Sequence, residues 1–101
     1  MAITSANQLE LLQTAEIKEI RAGQTIINEG EEGFDVFVIR NGSMVVEKNI
    51  GGKPVFLSYL PAGSYVGEMA LIDRGRRTAT VRAAIKSEVI RLDGEAFKRL
   101  L

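Results

Sequence analysis

A mainly β fold, with antiparallel strands in a two-sheet jelly roll, is what this sequence predicts, on three observations. Ten glycines punctuate the 101 residues, and from Gly23 to Gly63 most gaps between them are near ten residues. The stretches in between are short and rich in β-branched side chains, a strand–turn–strand rhythm. Such segments number about eight, too many for one flat sheet with a single polar face, so two packed sheets are the natural arrangement.

The elements follow in order. A helix opens the chain, with Asn7 as its cap and Leu9, Leu11 and Leu12 forming its apolar face. Glu16–Arg21 and Thr25–Asn28 read as strands. Asp35–Asn41 contains the unbroken run Val36-Phe37-Val38-Ile39, which suits a strand covered on both faces. Asn41-Gly42 reads as a hairpin-type turn into a strand at Met44–Lys48. Gly51-Gly52 turns the chain into Val55–Leu60, and Pro61-Ala62-Gly63-Ser64 turns it again. Glu68–Ile72 fits one short helical turn. Thr78–Ala84 and Ser87–Leu92 complete the strands, and Asp93 caps a closing helix from Ala96 to Leu101. Short helices therefore flank the roll at both ends.

Composition narrows the chemistry. Thirteen basic and thirteen acidic residues balance to a net charge of zero, where a general nucleic-acid binder carries a basic excess. The chain has no cysteine and no histidine. That removes disulfides, ordinary zinc sites, iron–sulfur clusters and a Ser-His-Asp triad. No carboxylate or lysine constellation suggests catalysis, so no enzyme activity, metal or cofactor is expected. No apolar run approaches the ~18 residues of a membrane span. Met1–Ala6 shows no secretory pattern, and a cytoplasmic setting is expected.

One segment departs from the strand rhythm, from Val66 to Val81. Gly67 precedes a short helix, whose first amides are unpaired and carry the positive end of the helix dipole. Gly67 has no side chain to block close approach. Arg77 offers a planar fork suited to two phosphate oxygens, and Thr78 adds a hydroxyl. Glu68 would repel a phosphate but can accept a hydrogen bond from a neighbouring sugar hydroxyl. Together these point to a sugar phosphate or nucleotide. Singly, each piece is ordinary. A Gly-Glu pair opens many turns and helices, arginine-rich loops are mostly solvated, and Thr78 suits a strand.

Gly67-Glu68-Met69-Ala70-Leu71, five residues, then Arg77-Thr78-Ala79-Thr80-Val81, resembles the phosphate-binding cassette of cyclic nucleotide-binding domains. A second stretch, Ile26 to Gly42, is similar to that family's other signature, with Gly30, Gly33, the apolar run Val36–Ile39 and Gly42 in place. The resemblance covers residues 8–101 and implies an eight-stranded jelly roll with a short helix in the cassette. It assigns the cyclic phosphate to Arg77 and the ribose 2′-hydroxyl to Glu68. Gly67 and the amides near Met69 and Ala70 complete the cradle, within a segment running from Val66 to Ala79. Thr78 falls near phosphate and base, and the base is expected against Val46, Leu57, Ser58 and Leu60. Before ligand binds, the Arg77 side chain is expected to be exposed. Glu29, Gly30 and Gly33 read as a structural corner, and Arg74 and Arg76 read as solvated loop residues, with a contribution to the positive field around the site as the alternative.

The expectation for residues 1–101 is one cyclic nucleotide-binding domain, lacking most of the lid helix that usually follows in the family. It implies a sensor module for cAMP or cGMP within a larger regulator, channel or enzyme, with an effector domain or partner subunit elsewhere. Thr78 leaves both nucleotides open, and Leu57-Ser58-Tyr59-Leu60 is similar to the bacterial cAMP-responsive regulators. The alternative is a ligand-free or different-ligand member acting as an interaction module.

Overall fold

Residues 6–68 and 76–99 are described by the computed structural model. In chain order they form helix α1 (Ala6–Thr14), strands β1 (Glu16–Ile20), β2 (Thr25–Ile27), β3 (Val36–Asn41), β4 (Ser43–Ile50), β5 (Lys53–Pro61), β6 (Tyr65–Val66), β7 (Thr80–Ala83) and β8 (Ser87–Leu92), and helix α2 (Gly94–Lys98). The strands make two four-stranded sheets, ordered β1-β8-β3-β6 and β2-β7-β4-β5. All pairings within them are antiparallel. This is the expected jelly roll.

The core lies between the sheets. Phe37 and Ile39 from β3, Val89 from β8 and Ile20 from β1 meet Met44 from β4, Val81 and Ala83 from β7 and Ile27 from β2. Ile39, Met44, Val81 and Val89 are among the largest fully enclosed side chains, each contributing about 1.5–3 kcal/mol by leaving water. Val36, which alternation sends to the other face of β3, is also 0% exposed. Val38, on the same face as Val36, is only partly buried, so the run is fully covered on its core face and partly on the other.

The Gly51-Gly52 turn is a two-residue hairpin between β4 and β5, with φ of +62° and +85°. That doubly left-handed geometry favours glycine at both positions. Asn41-Gly42 differs from the hairpin expected there. β3 and β4 lie in different sheets, and the chain crosses the sandwich at this point. Gly42 has φ +90°, and a Cβ on it would lie 2.1 Å from Ser87 Oγ. The buried Ser87 hydroxyl accepts from the Ser43 N–H at 3.2 Å and donates to the Ile85 carbonyl at 2.8 Å. The corner is held by the Ser87 hydroxyl together with backbone bonding to β7 and β8, including the Ala84 N–H donating to the Ser43 carbonyl at 3.0 Å, and not by pairing of β3 with β4.

The helices also depart in detail from expectation. Asn7 lies inside α1 instead of capping it. Leu9 and Leu12, one turn apart, are 48% and 55% exposed, so the three leucines do not form one buried face. Asp93 does cap α2, its carboxylate accepting from the Glu95 N–H at 3.0 Å, though the helix begins two residues before Ala96. α1 packs on α2 and touches β8, and Arg99 pairs with Glu10 between the two helical ends. Beyond Glu68, the expected turn over 68–72 lies outside the described residues. No helix among the described residues is long and apolar enough to cross a membrane.

Candidate functional site

The site is assembled around Arg77, in the segment entering β7. Its backbone is clamped to the β2–β3 corner. The Arg77 N–H donates to the Glu31 carbonyl at 2.9 Å, and the Gly30 N–H donates to the Arg77 carbonyl at 2.8 Å. The following residues are tied down as well. Lys48 Nζ donates to the Thr78 carbonyl at 2.9 Å, and Thr80 Oγ1 accepts from the Glu29 N–H at 3.1 Å. Glu29 in turn accepts from the Asn49 N–H at 2.8 Å. Its role is the structural one expected from the sequence.

Both terminal nitrogens of the guanidinium are engaged, each of them still carrying a second N–H. Nη1 donates to the Gly67 carbonyl at 3.1 Å and Nη2 to the Asp35 carbonyl at 2.9 Å. Among the described residues these hydrogen bonds go to main-chain oxygens and not to carboxylates. Two glycines make the arrangement feasible. A Cβ on Gly33 would stand 3.0 Å from Nη2, and one on Gly67 would stand 2.6 Å from the Asp35 carbonyl oxygen and 3.0 Å from Nη1. Gly67 also has φ +99°. The side chain is therefore half-buried and fixed, which corrects the expectation that it is exposed before ligand binds. Burial lowers its pKa from the usual arginine value and the nearby Asp35 charge acts the other way. A guanidinium starting above ~12 stays charged through this.

Arg77 and Glu68 open on one cavity, with Gly67 and Thr78. Val46, Val66, Ala79, Val81 and Ile27 form its apolar wall. Glu68 brings a distinctive feature. Its Oε2 is buried and has no hydrogen-bond partner among the described residues. Left without a donor, such an acceptor costs about 1–3 kcal/mol, and it lines the same cavity as the Arg77 cation.

Seven residues singled out from the sequence thus meet at one cavity: Val46, Val66, Gly67, Glu68, Arg77, Thr78 and Ala79. Leu57, Ser58 and Leu60 do not line it. Ser58 sits directly opposite Val46 on edge strand β5, and the register break between Val46 and Glu47 leaves Leu57 as the extra residue of a bulge. Leu57 is 49% exposed, whereas Leu60 packs against the core. Met69, Ala70 and Arg74 lie outside the described residues. Arg76 is exposed, its Nη1 donating to the Gly30 carbonyl at 3.1 Å.

Asp35 and the space above Gly33 belong to the site and were not singled out for it. A carbonyl contact leaves no trace in residue type. The Gly33 signal was present, but its meaning depends on which side chain fills the space.

Comparison with known proteins follows the same lines. Residues 17–101 match the family described as cyclic nucleotide-binding domain. A cAMP-dependent protein kinase regulatory subunit from Mycosarcoma maydis is 32% identical, over 98% of this chain and 20% of its own length. The regulatory domain of Toxoplasma gondii PKA, crystallised with cAMP, superposes with a TM-score of 0.83 at 30% identity, covering 93% of this chain and 37% of that one. A regulatory subunit of a cAMP-independent protein kinase A from Trypanosoma cruzi, bound to guanosine, gives a TM-score of 0.83 at 26% identity, covering 96% and 35%. The chain spans well under half the length of each of these relatives.

Proposed function

The chain belongs to the cyclic nucleotide-binding domain family, and from that premise we propose that it is a cytoplasmic sensor module that binds cAMP without transforming it. The observation that carries this reading is the pairing of opposites in one cavity. Arg77 is a fixed cation whose hydrogen bonds go to carbonyls, and Glu68 presents a buried acceptor with no donor among the described residues. A cyclic phosphodiester bears one negative charge and has no ionisable proton near neutral pH. It matches one guanidinium, whereas a di- or triphosphate would bring excess charge against Glu68. The neighbouring ribose supplies the hydroxyl donor that Glu68 Oε2 lacks.

In this reading Arg77 clasps the exocyclic phosphate oxygens and Glu68 accepts the 2′-hydroxyl. Gly67 leaves room for the sugar phosphate, with Met69 and Ala70 carried over from the sequence resemblance. Thr78 stands between phosphate and base. The purine extends over the apolar wall at Val46 toward Ser58 and Leu60. Output passes to parts of a larger regulator.

Calorimetric titration with cAMP, cGMP, 5′-AMP and adenosine tests the proposal. The expected order is cAMP first, cGMP close behind, and 5′-AMP and adenosine far weaker, with Arg77→Ala abolishing most of the preference for the cyclic phosphate. An Arg77→Ala variant that binds cAMP as tightly as the parent would refute it. The guanosine-bound relative favours a second reading, a nucleoside site that needs no phosphate. In that case adenosine or guanosine binds at least as well as cAMP and Arg77→Ala changes little.

A further inference from the structure

We propose that Asp35 and Arg91 form a positioning device for Arg77, holding its guanidinium in place before ligand arrives. The inference rests on the reading of Arg77 as the anion-binding residue and adds the parts that fix it. Asp35 engages two arginines with two different groups. Its carbonyl accepts from Arg77 Nη2 at 2.9 Å, and its carboxylate Oδ1 accepts from Arg91 Nη1 at 2.8 Å. Arg91 stands on β8 directly across from Glu16 on β1, and its Nη2 donates to Glu16 Oε1 at 2.5 Å. One guanidinium fork thus grips two carboxylates from separate segments, a geometry a lysine cannot reproduce.

Residue 35 needs this grip because of where it lies. It closes the loop between β2 and β3, whose earlier residues Gly30, Glu31 and Glu32 are tied to Arg76 and Arg77, and it lies two residues beyond Gly33, past those ties. A glycine-containing loop has many backbone states available. The direction of the Asp35 carbonyl depends on which one is adopted. Anchoring the Asp35 carboxylate to the β8–β1 pair selects the state in which that carbonyl faces Arg77. The Asp35 and Arg91 side chains are 43% and 22% exposed, and ion pairs this accessible add little to stability. The pair's value lies in orientation, so its removal separates affinity from stability.

The experiment compares Asp35→Ala, Asp35→Asn, Arg91→Ala, Arg77→Ala and the double variant Asp35→Ala/Arg77→Ala. Two readouts are used: calorimetric affinity for cAMP, and the NMR signal of the Arg77 Nε–H in the ligand-free protein. Asp35→Ala and Arg91→Ala should each weaken cAMP binding about five- to thirtyfold, and the double variant should bind no more weakly than Arg77→Ala alone. Asp35→Asn keeps an acceptor oxygen for Arg91 and should recover part of the loss. In the ligand-free protein, the Arg77 Nε–H should exchange faster and broaden in Asp35→Ala and Arg91→Ala, at nearly parental melting temperature. The proposal is overturned if both single variants keep parental affinity and a parental Arg77 signal, or if Asp35→Ala and Arg77→Ala act additively. Should the parent bind no cyclic nucleotide, the ligand reading fails while the NMR arm still decides the device. A mobilised Arg77 signal then supports it, and an unchanged one overturns it.

Discussion

Replacing Glu68 should move stability and affinity in opposite directions. Its Oε2 is buried without a partner among the described residues, and such an acceptor costs the folded chain about 1–3 kcal/mol. Glu68→Ala removes that cost. It also removes one half-buried methylene, the Cγ, worth at most about 0.8 kcal/mol. The ligand-free variant is therefore expected to lie between parental stability and about 2 kcal/mol above it. For a domain this size each kcal/mol raises the melting temperature by about 4–8 °C. Affinity for cAMP should fall at the same time by about 1.5–3 kcal/mol, the value of a hydrogen bond to a charged acceptor. That is a loss of about ten- to a hundredfold. Glu68→Gln retains a carbonyl acceptor and should lose less. The parent should bind 2′-deoxy-cAMP about as weakly as Glu68→Ala binds cAMP. Thermal denaturation of both proteins without ligand, followed by calorimetric titration, measures the two signs. A Glu68→Ala variant with a lower melting temperature and parental affinity would refute the reasoning, as would equal affinity of the parent for the ribo and 2′-deoxy ligands.

Arg77→Ala should cost about 1.5–3 kcal/mol of cAMP affinity. Because its two bonds to carbonyls are present without ligand, it should also lower the stability of the ligand-free protein by about 1 kcal/mol in urea denaturation; unchanged stability would contradict the half-buried geometry. Gly67→Ala imposes a left-handed backbone on alanine and a Cβ 2.6 Å from the Asp35 carbonyl oxygen, so calorimetry should show weakened binding and denaturation a loss of roughly 1–3 kcal/mol. Gly42→Ala should lose as much or more stability, since its Cβ would fall 2.1 Å from Ser87 Oγ, yet the folded fraction should bind cAMP normally. The hydrogen bond to Arg91, followed by its charge, holds the Glu16 carboxyl below its ordinary range. Its contribution is thus complete above the unfolded-state value and fades as pH falls through the lower folded value. Urea midpoints measured against pH should show a shallower acid limb for Glu16→Gln than for the parent.

Most strands were legible in the sequence because their causes are local. The run Val36-Phe37-Val38-Ile39 is apolar at every position, and Gly51-Gly52 supplies the two left-handed residues that a tight hairpin requires. Ser87–Leu92 coincides with β8 for the same reason. The residues that meet at the cavity were also legible as types: a carboxylate after a glycine, and an arginine before a threonine. What only the tertiary structure decided is non-local. Asn41-Gly42 looks like a hairpin turn from its own residues. It crosses between sheets because β3 finds its partners in β8 and β6, and β4 in β7 and β5. The two-residue β6 is too short to carry a pattern of its own. Leu9 and Leu12 are apolar, yet their exposure depends on what the rest of the fold brings to α1. Arg77 shows the limit most sharply. Its identity suggested an anion, but its fixed pose comes from a carbonyl 42 residues earlier in the chain. Every residue carries a carbonyl of that kind, so sequence does not mark the one that will be used. Selection among them rests on loop geometry, on the missing Cβ of Gly33, and on an ion pair between Asp35 and Arg91 that only the assembled sheets bring within reach.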